Sequence, residues 1–297
     1  MKSTLNYFSL IKFSHTIFAL PFAFIGFFLG LQVLMNTKEL NDFEFTTEFI
    51  VKKFLLMLLC MVFARTAAMA FNRLVDAKFD AINPRTMERE IPSGKISSTN
   101  AFSLVLVSSL AFVICTWFIN SLCFFLSPLA LLVVLGYSYT KRFTSLCHFV
   151  LGIGLGLAPI GAYLTLTGEF ALLPILFSFS VLFWVSGFDI IYALQDETFD
   201  KENRLSSIPA AMGKRNALIL SRVLHLFSAA LIFSAGFQFN FHILYWFGVF
   251  LFCLFLIFQH RIVKPDDLSR INMAFFTYNG IASVIFGLIT LVSIFLK

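Results

Sequence analysis

Residues 54–80 read FLLMLLCMVFARTAAMAFNRLVDAKFD, an apolar run broken by the single charge of Arg65 and ending in polar side chains at Asn72, Asp76 and Asp80, four residues apart. A helix that crosses a bilayer needs about 20 mostly apolar residues, and the first part of the stretch supplies them. The second part carries carboxylates out of the same helix.

The rest of the chain is equally suited to lipid. Of 297 residues, 59% are hydrophobic, 13% are charged and 41 are phenylalanine, a composition outside that of soluble domains. Uncharged runs cover 13–37, 96–140, 143–168, 170–188, 223–260 and 271–296. The second and fifth are long enough for two spans each, folding back at Asn120–Ser121 and at Gly236–Asn240, where turn-prone residues cluster. With the span quoted above, the pattern predicts an all-α polytopic membrane protein of nine transmembrane helices around a central cavity, one domain over residues 1–297. The N-terminal apolar run has spanning length and no small-residue cleavage site, so it reads as the first helix and not as a removed signal.

The N-terminus and the segments after the second, fourth, sixth and eighth predicted helices hold most of the 22 Lys and Arg; the opposite side has Lys38, Lys52, Lys53 and Lys297. By the positive-inside rule the N-terminus is cytoplasmic. The net charge of +6 is thereby accounted for and calls for no nucleic-acid partner. Cys60, Cys115, Cys123, Cys147 and Cys253 show no metal-ligand spacing and read as small core residues. Gly152, Gly154 and Gly156 follow no strand and read as close-packing positions, not a nucleotide loop.

Two cytoplasmic segments, 72–100 and 189–216, are longer and more charged than the other connections. In the first, Arg65, Met69, Asn72, Asp76 and Asp80 recur at intervals of 4, 3, 4 and 4, which on a continuous helix is one stripe. In the second, Asp189, Tyr192, Asp196 and Asp200 are spaced 3, 4 and 4. Stacked carboxylates repel unless a cation sits among them. Mg²⁺ takes oxygen ligands and shares them with waters and substrate phosphates. Around the acids lie Arg85, Arg89 and Lys95, in a loop punctuated by Pro84, Pro92 and Gly94, and Lys141 and Arg142 at the end of predicted helix 4. Acids for a metal, ringed by cations, point to a metal-bound diphosphate. Arg65 lies deeper, where an ionised guanidinium must face a polar cavity or a partner, and Asp189 is its candidate partner or a wall of the site. His15, His148, His225, His242 and His260 share no spacing with the acids and read as packing or interfacial residues. An ion-coupled transporter is the reading from another class, but such sites lie near the bilayer midplane, whereas these acids gather at its rim.

The sequence resembles the UbiA family of intramembrane aromatic prenyltransferases over nearly its whole length. The resemblance rests on Asn72-x-x-x-Asp76-x-x-x-Asp80, Asn83-Pro84-Arg85-Thr86-x-x-Arg89, Tyr137-x-x-x-Lys141-Arg142 and Tyr192-x-x-x-Asp196-x-x-x-Asp200. The stretches KFSHTIFALPFAF and IIYALQDETFDKENRLSSIPAAMG are most similar to the 4-hydroxybenzoate polyprenyltransferase branch and its relatives in menaquinone synthesis. It implies Mg²⁺ held by Asn72, Asp76, Asp80, Asp196 and Asp200, and a polyprenyl diphosphate neutralised by Arg85, Arg89, Lys141 and Arg142. Asp76, Asp196 and Tyr192 would stand at the chemistry, with Arg65 and Asp189 toward the acceptor. The expected reaction joins the polyprenyl group to a ring carbon of an aromatic acid, 4-hydroxybenzoate first and a dihydroxynaphthoate second, for ubiquinone or menaquinone synthesis. The partners expected are those two substrates and the lipid of the inner, cytoplasmic membrane, with no obligate protein partner. Some relatives place Asp directly after the motif asparagine and Arg directly before it; here Arg73 follows and Phe71 precedes.

Overall fold

A computed structural model describes residues 7, 9, 10, 18–36 and 46–296. Lys2, Lys12, Lys38 and Lys297 of the charge pattern, His15, and the two ends of the first apolar run lie outside the described residues. The elements are α1 (Leu20–Asn36), α2 (Thr47–Ile82), α3 (Ser98–Ile119), α4 (Ser121–Thr140), α5 (Cys147–Thr167), α6 (Leu172–Ala193), a 3-10 turn (Leu194–Asp196), α7 (Glu197–Glu202), α8 (Ile208–Gln238), α9 (Ile243–Ile262), a π-helical turn (Met273–Tyr278) and α10 (Asn279–Phe295). Among the described residues eight helices are long and apolar enough to cross a membrane, and Leu20–Asn36 is a shorter apolar ninth. The protein is an all-helical integral membrane protein.

Helix ends fall where local chemistry stops the helix. Asn120 closes α3 and opens α4: its Oδ1 accepts the Cys123 N–H at 2.8 Å and its Nδ2 donates to the Leu164 carbonyl at 2.7 Å. One asparagine thus caps a helix and pins the turn to α5. Thr46, Ser97 and Ser207 cap α2, α3 and α8 in the same manner. α8 is interrupted at Gly213 (φ 78°), which separates its capped first turn from the long membrane segment.

The helices pack as a ring in which α1 meets α5 and α10, α5 meets α6, α6 meets α8, and α9 joins α8 to α10; α2, α3 and α4 pack on one another, and α2 and α4 also pack on α5. The core is aromatic, with Trp184, Phe22, Phe177, Phe252 and Phe286 fully buried in tilted and edge-on contact. The α5–α6 contact depends on small residues. A Cβ on Gly156 would sit 2.8 Å from the Ser178 carbonyl oxygen, and one on Gly152 would overlap Ser186 and Leu182, so these glycines let two backbones approach closely. Leu106, Val107, Leu110, Trp117, Phe125 and Leu132 of α3 and α4 point outward, an apolar belt that only lipid covers favourably.

Candidate active site

α2 remains helical through Ile82, so Asn72, Asp76 and Asp80 share one stripe, with Asn72 Nδ2 donating to Asp76 Oδ2 at 3.1 Å. The helix stops at Asn83, which is extended (φ −87°, ψ 117°) because Pro84 disfavours the helical region for the residue before it. The chain then turns back over the helix end. Asn83 Oδ1 accepts the Arg85 N–H at 2.9 Å, and Thr86 Oγ1 donates to the Asp80 carbonyl at 3.2 Å. The loop is anchored from beneath by a buried pair, Arg73 Nε 3.9 Å from Glu90 Oε2, with Ser9 Oγ donating to Glu90 Oε1 at 2.5 Å.

The second motif departs from the unbroken helix that its spacing suggests. α6 ends at Ala193, the 3-10 turn carries Asp196, and α7 resumes at Glu197. A 3-10 turn winds more tightly than an α-helix, so Asp196 is rotated out of register with Asp189 and Tyr192. Its carboxylate is met by the loop of the first motif.

Each of the four motif aspartates is paired with a different one of Arg85, Arg89, Lys141 and Arg142, while Lys95, the fifth cation singled out in the sequence, donates to the Glu88 carbonyl at 3.2 Å. Arg85 grips Asp196 with both prongs, Nε to Oδ1 at 2.9 Å and Nη2 to Oδ2 at 2.6 Å. Arg89 Nη1 lies 2.7 Å from Asp80 Oδ1, Lys141 Nζ 2.7 Å from Asp200 Oδ1, and Arg142 Nη2 3.5 Å from Asp76 Oδ1. The pairs cross between elements: a loop cation after α2 holds an acid after α6, and a cation after α4 holds an acid on α7. Tyr192 belongs to the same cluster, its ring 5.5 Å beneath the Arg85 guanidinium and its hydroxyl 3.4 Å from Nη1. Burial acts to lower the Arg85 pKa, but hydrogen bonding and attraction from Asp196 outweigh it and leave the guanidinium above its ordinary value.

The cluster suits a hard cation. Its donors are carboxylate and amide oxygens, and Asp80 Oδ2 is buried without a hydrogen-bond partner among the described residues. Among those residues no three acidic, histidine or cysteine side chains converge closely enough to hold an ion unaided. Mg²⁺ is ordinarily bound through one or two carboxylates with waters and substrate phosphates completing its shell, so acids distributed over four ion pairs fit such an ion.

Arg65 is half-buried on α2, but its Nε and Nη2 are themselves buried and without hydrogen-bond partners among the described residues. Asp189 is bonded elsewhere: its Oδ2 lies 2.7 Å from His148 Nδ1. His148, a packing residue by its spacing, is therefore the partner of an acid on the second stripe. His225 and His260 likewise face each other at 2.8 Å. Sequence spacing also passes over Asn83, whose Nδ2 reaches Asp196 Oδ1 at 3.4 Å, and Ser207, whose Oγ donates to Asp200 Oδ2 at 2.7 Å. Neither recurs on an acid stripe.

Residues 19–281 match the model of the UbiA prenyltransferase family. A 4-hydroxybenzoate octaprenyltransferase of Photobacterium profundum is 29% identical over 227 residues, 76% of this chain and 78% of that protein. One from Francisella tularensis subsp. tularensis is 28% identical over 229 residues, 76% of this chain and 79% of that protein. Among solved structures, the apo structure of a UbiA homolog from Aeropyrum pernix K1 superposes with a TM-score of 0.80 at 31% identity, covering 94% of this chain and 97% of that one. A UbiA homolog from Archaeoglobus fulgidus bound to GPP and Mg²⁺ shares the fold with a TM-score of 0.70 at 20% identity, covering 97% and 99%.

Proposed function

The chain belongs to the UbiA prenyltransferase family, and from that premise we propose that it moves a polyprenyl group from polyprenyl diphosphate to a ring carbon of an aromatic acid, 4-hydroxybenzoate foremost. The observation that carries this reading is the one-to-one pairing of Asp76, Asp80, Asp196 and Asp200 with Arg142, Arg89, Arg85 and Lys141. Acids and cations in equal number, drawn from both motifs, are what a metal diphosphate needs on its two faces. The names of the curated relatives support the choice of acceptor.

Asn72, Asp76, Asp80, Asp196 and Asp200 would hold Mg²⁺, which when bound supplies charge to stabilise the departing diphosphate. Arg85, Arg89, Lys141 and Arg142 exchange their carboxylate partners for phosphate oxygens and stabilise the same developing charge. As the allylic C–O bond breaks, the ring carbon supplies the electron pair of the new C–C bond, and the ring then loses its proton. Tyr192, under the Arg85 guanidinium, borders the carbon that becomes electron-poor. Arg65 binds the acceptor carboxylate, which would satisfy its unpaired nitrogens, and Asp189 lines the same pocket. The surrounding apolar helices exclude water from the cation. The site faces the cytoplasm across the inner membrane, as the distribution of Lys and Arg indicates.

Purified protein with labelled polyprenyl diphosphate and 4-hydroxybenzoate is expected to yield a lipid-soluble product, lost on adding EDTA or in Asp76→Ala. Activity that survives both would sink the mechanism. Product from a dihydroxynaphthoate alone would move the assignment to the other acceptor.

A further inference from the structure

Asp189 and Asp200 stand at opposite ends of the second motif, and consecutive residues at the start of α8 reach both. Ser207, the N-cap, donates its hydroxyl proton to Asp200 Oδ2 at 2.7 Å while its Oγ accepts the Ala210 N–H at 3.3 Å. The next residue, Ile208, donates its backbone N–H to His148 Nε2 at 3.3 Å. A backbone N–H can only donate, so Nε2 is the unprotonated nitrogen and the ring proton sits on Nδ1. From there it is donated to Asp189 Oδ2 at 2.7 Å. The His148 carbonyl also accepts from Ser186 Oγ at 3.2 Å, which ties the imidazole's helix to the helix that carries Asp189.

Ordinary capping explains only half of this. An N-cap side chain needs to accept from the first turn, and an aspartate at position 207 would do so equally well while repelling Asp200. Ser207 accepts and donates at once. A histidine that merely filled space would need no carboxylate, whereas His148 is obliged to accept at one nitrogen and donate at the other, a spacer of fixed length between α8 and Asp189.

We propose that the first turn of α8 is a brace with two arms: through His148 it positions Asp189 on the acceptor side, and through Ser207 it positions Asp200 on the diphosphate side. The inference rests on the roles given to those acids in the proposed function. His148 and Ser207 are positioning residues and touch no reacting atom.

The test compares His148→Leu, His148→Asn, His148→Gln, Ser207→Ala and Ser207→Thr in lipid nanodiscs. It reads steady-state kinetics in both substrates, and the rise in melting temperature produced by Mg²⁺ with a prenyl thiodiphosphate, which requires no turnover. His148→Leu should lower kcat/KM for the aromatic acid by roughly tenfold or more and leave the thiodiphosphate-induced rise unchanged. His148→Asn keeps a donor near the position of Nδ1 and should recover most of that loss. His148→Gln keeps the bond to Ile208 but not the donor to Asp189, and should not recover it; it carries the same test if the leucine variant does not fold. Ser207→Ala should do the reverse, raising the thiodiphosphate concentration for half-maximal stabilisation severalfold with the acceptor KM unchanged, and Ser207→Thr should restore it. Equal losses in both readouts from either arm, or no loss from either, would overturn the brace. A wild type that prenylates neither aromatic acid would overturn the acceptor reading, and the Asp189 arm with it, while the thiodiphosphate measurement still decides the Ser207 arm.

Discussion

Arg85 holds both oxygens of Asp196 and covers the Tyr192 ring, a geometry that depends on a planar guanidinium with two parallel donors. Lysine carries the same charge but only as a point, without the fork or the stacking face. Arg85→Lys is therefore expected to lower kcat/KM for the prenyl diphosphate by about tenfold or more, measured by initial rates at fixed acceptor; a twofold effect would mean that charge alone matters there. The raised Arg85 pKa also fixes a pH dependence. A folded-state pKa above the unfolded one gives stability that is present below the unfolded value and lost as pH rises through the folded value. For arginine that window lies well above the physiological range. Wild type should thus melt above Arg85→Ala by a margin that stays flat from about pH 6 to pH 9, and the absence of any margin across that range would show that the ion pair with Asp196 adds no stability.

Helix spacing made the first motif legible, because α2 runs unbroken to Ile82 and an i, i+4 pattern is then a stripe. The second motif has the same spacing but a 3-10 turn at Leu194–Asp196, and spacing cannot report where a helix tightens. Partner choice was equally hidden: nothing in the chain order of Asp80, Arg85, Arg89 and Asp196 says that Arg85 crosses to the second motif while Arg89 stays on the first. His148 and Ser207 were missed because each contacts an acid on a neighbouring element, and no periodicity on its own element records that. Gly152 and Gly156 of α5 were readable as close-packing positions, whereas a Cβ on Gly154 would meet only ordinary contact, 3.7 Å from Val134. Gly156→Leu, which must displace the α6 backbone at Ser178, should destabilise the protein by about 1–3 kcal/mol, seen as a lower melting temperature in detergent. An unchanged melt would mean that α5 and α6 separate without cost.

Across the whole molecule, composition alone settled that lipid is the solvent, and the apolar belt of α3 and α4 shows where that lipid lies. The motif acids and cations sit at one end of the bundle because α2, α4 and α6 all run toward it, and the proposal that this end is cytoplasmic rests on the positive-inside rule. With the native cysteines removed, Lys95→Cys should react with an impermeant maleimide only in inverted vesicles, and Phe170→Cys, in the α5–α6 connection, only in right-side-out ones. The opposite pattern would reverse the topology. The central claim is that two motifs from distant helices make one metal-diphosphate site. Its most direct test is Mg²⁺-dependent binding of a prenyl thiodiphosphate, measured by calorimetry on wild type, Asp76→Asn and Asp196→Asn. The account predicts binding that requires Mg²⁺ and is lost in both variants, one for each motif; binding that persists with EDTA, or in either variant, would contradict it.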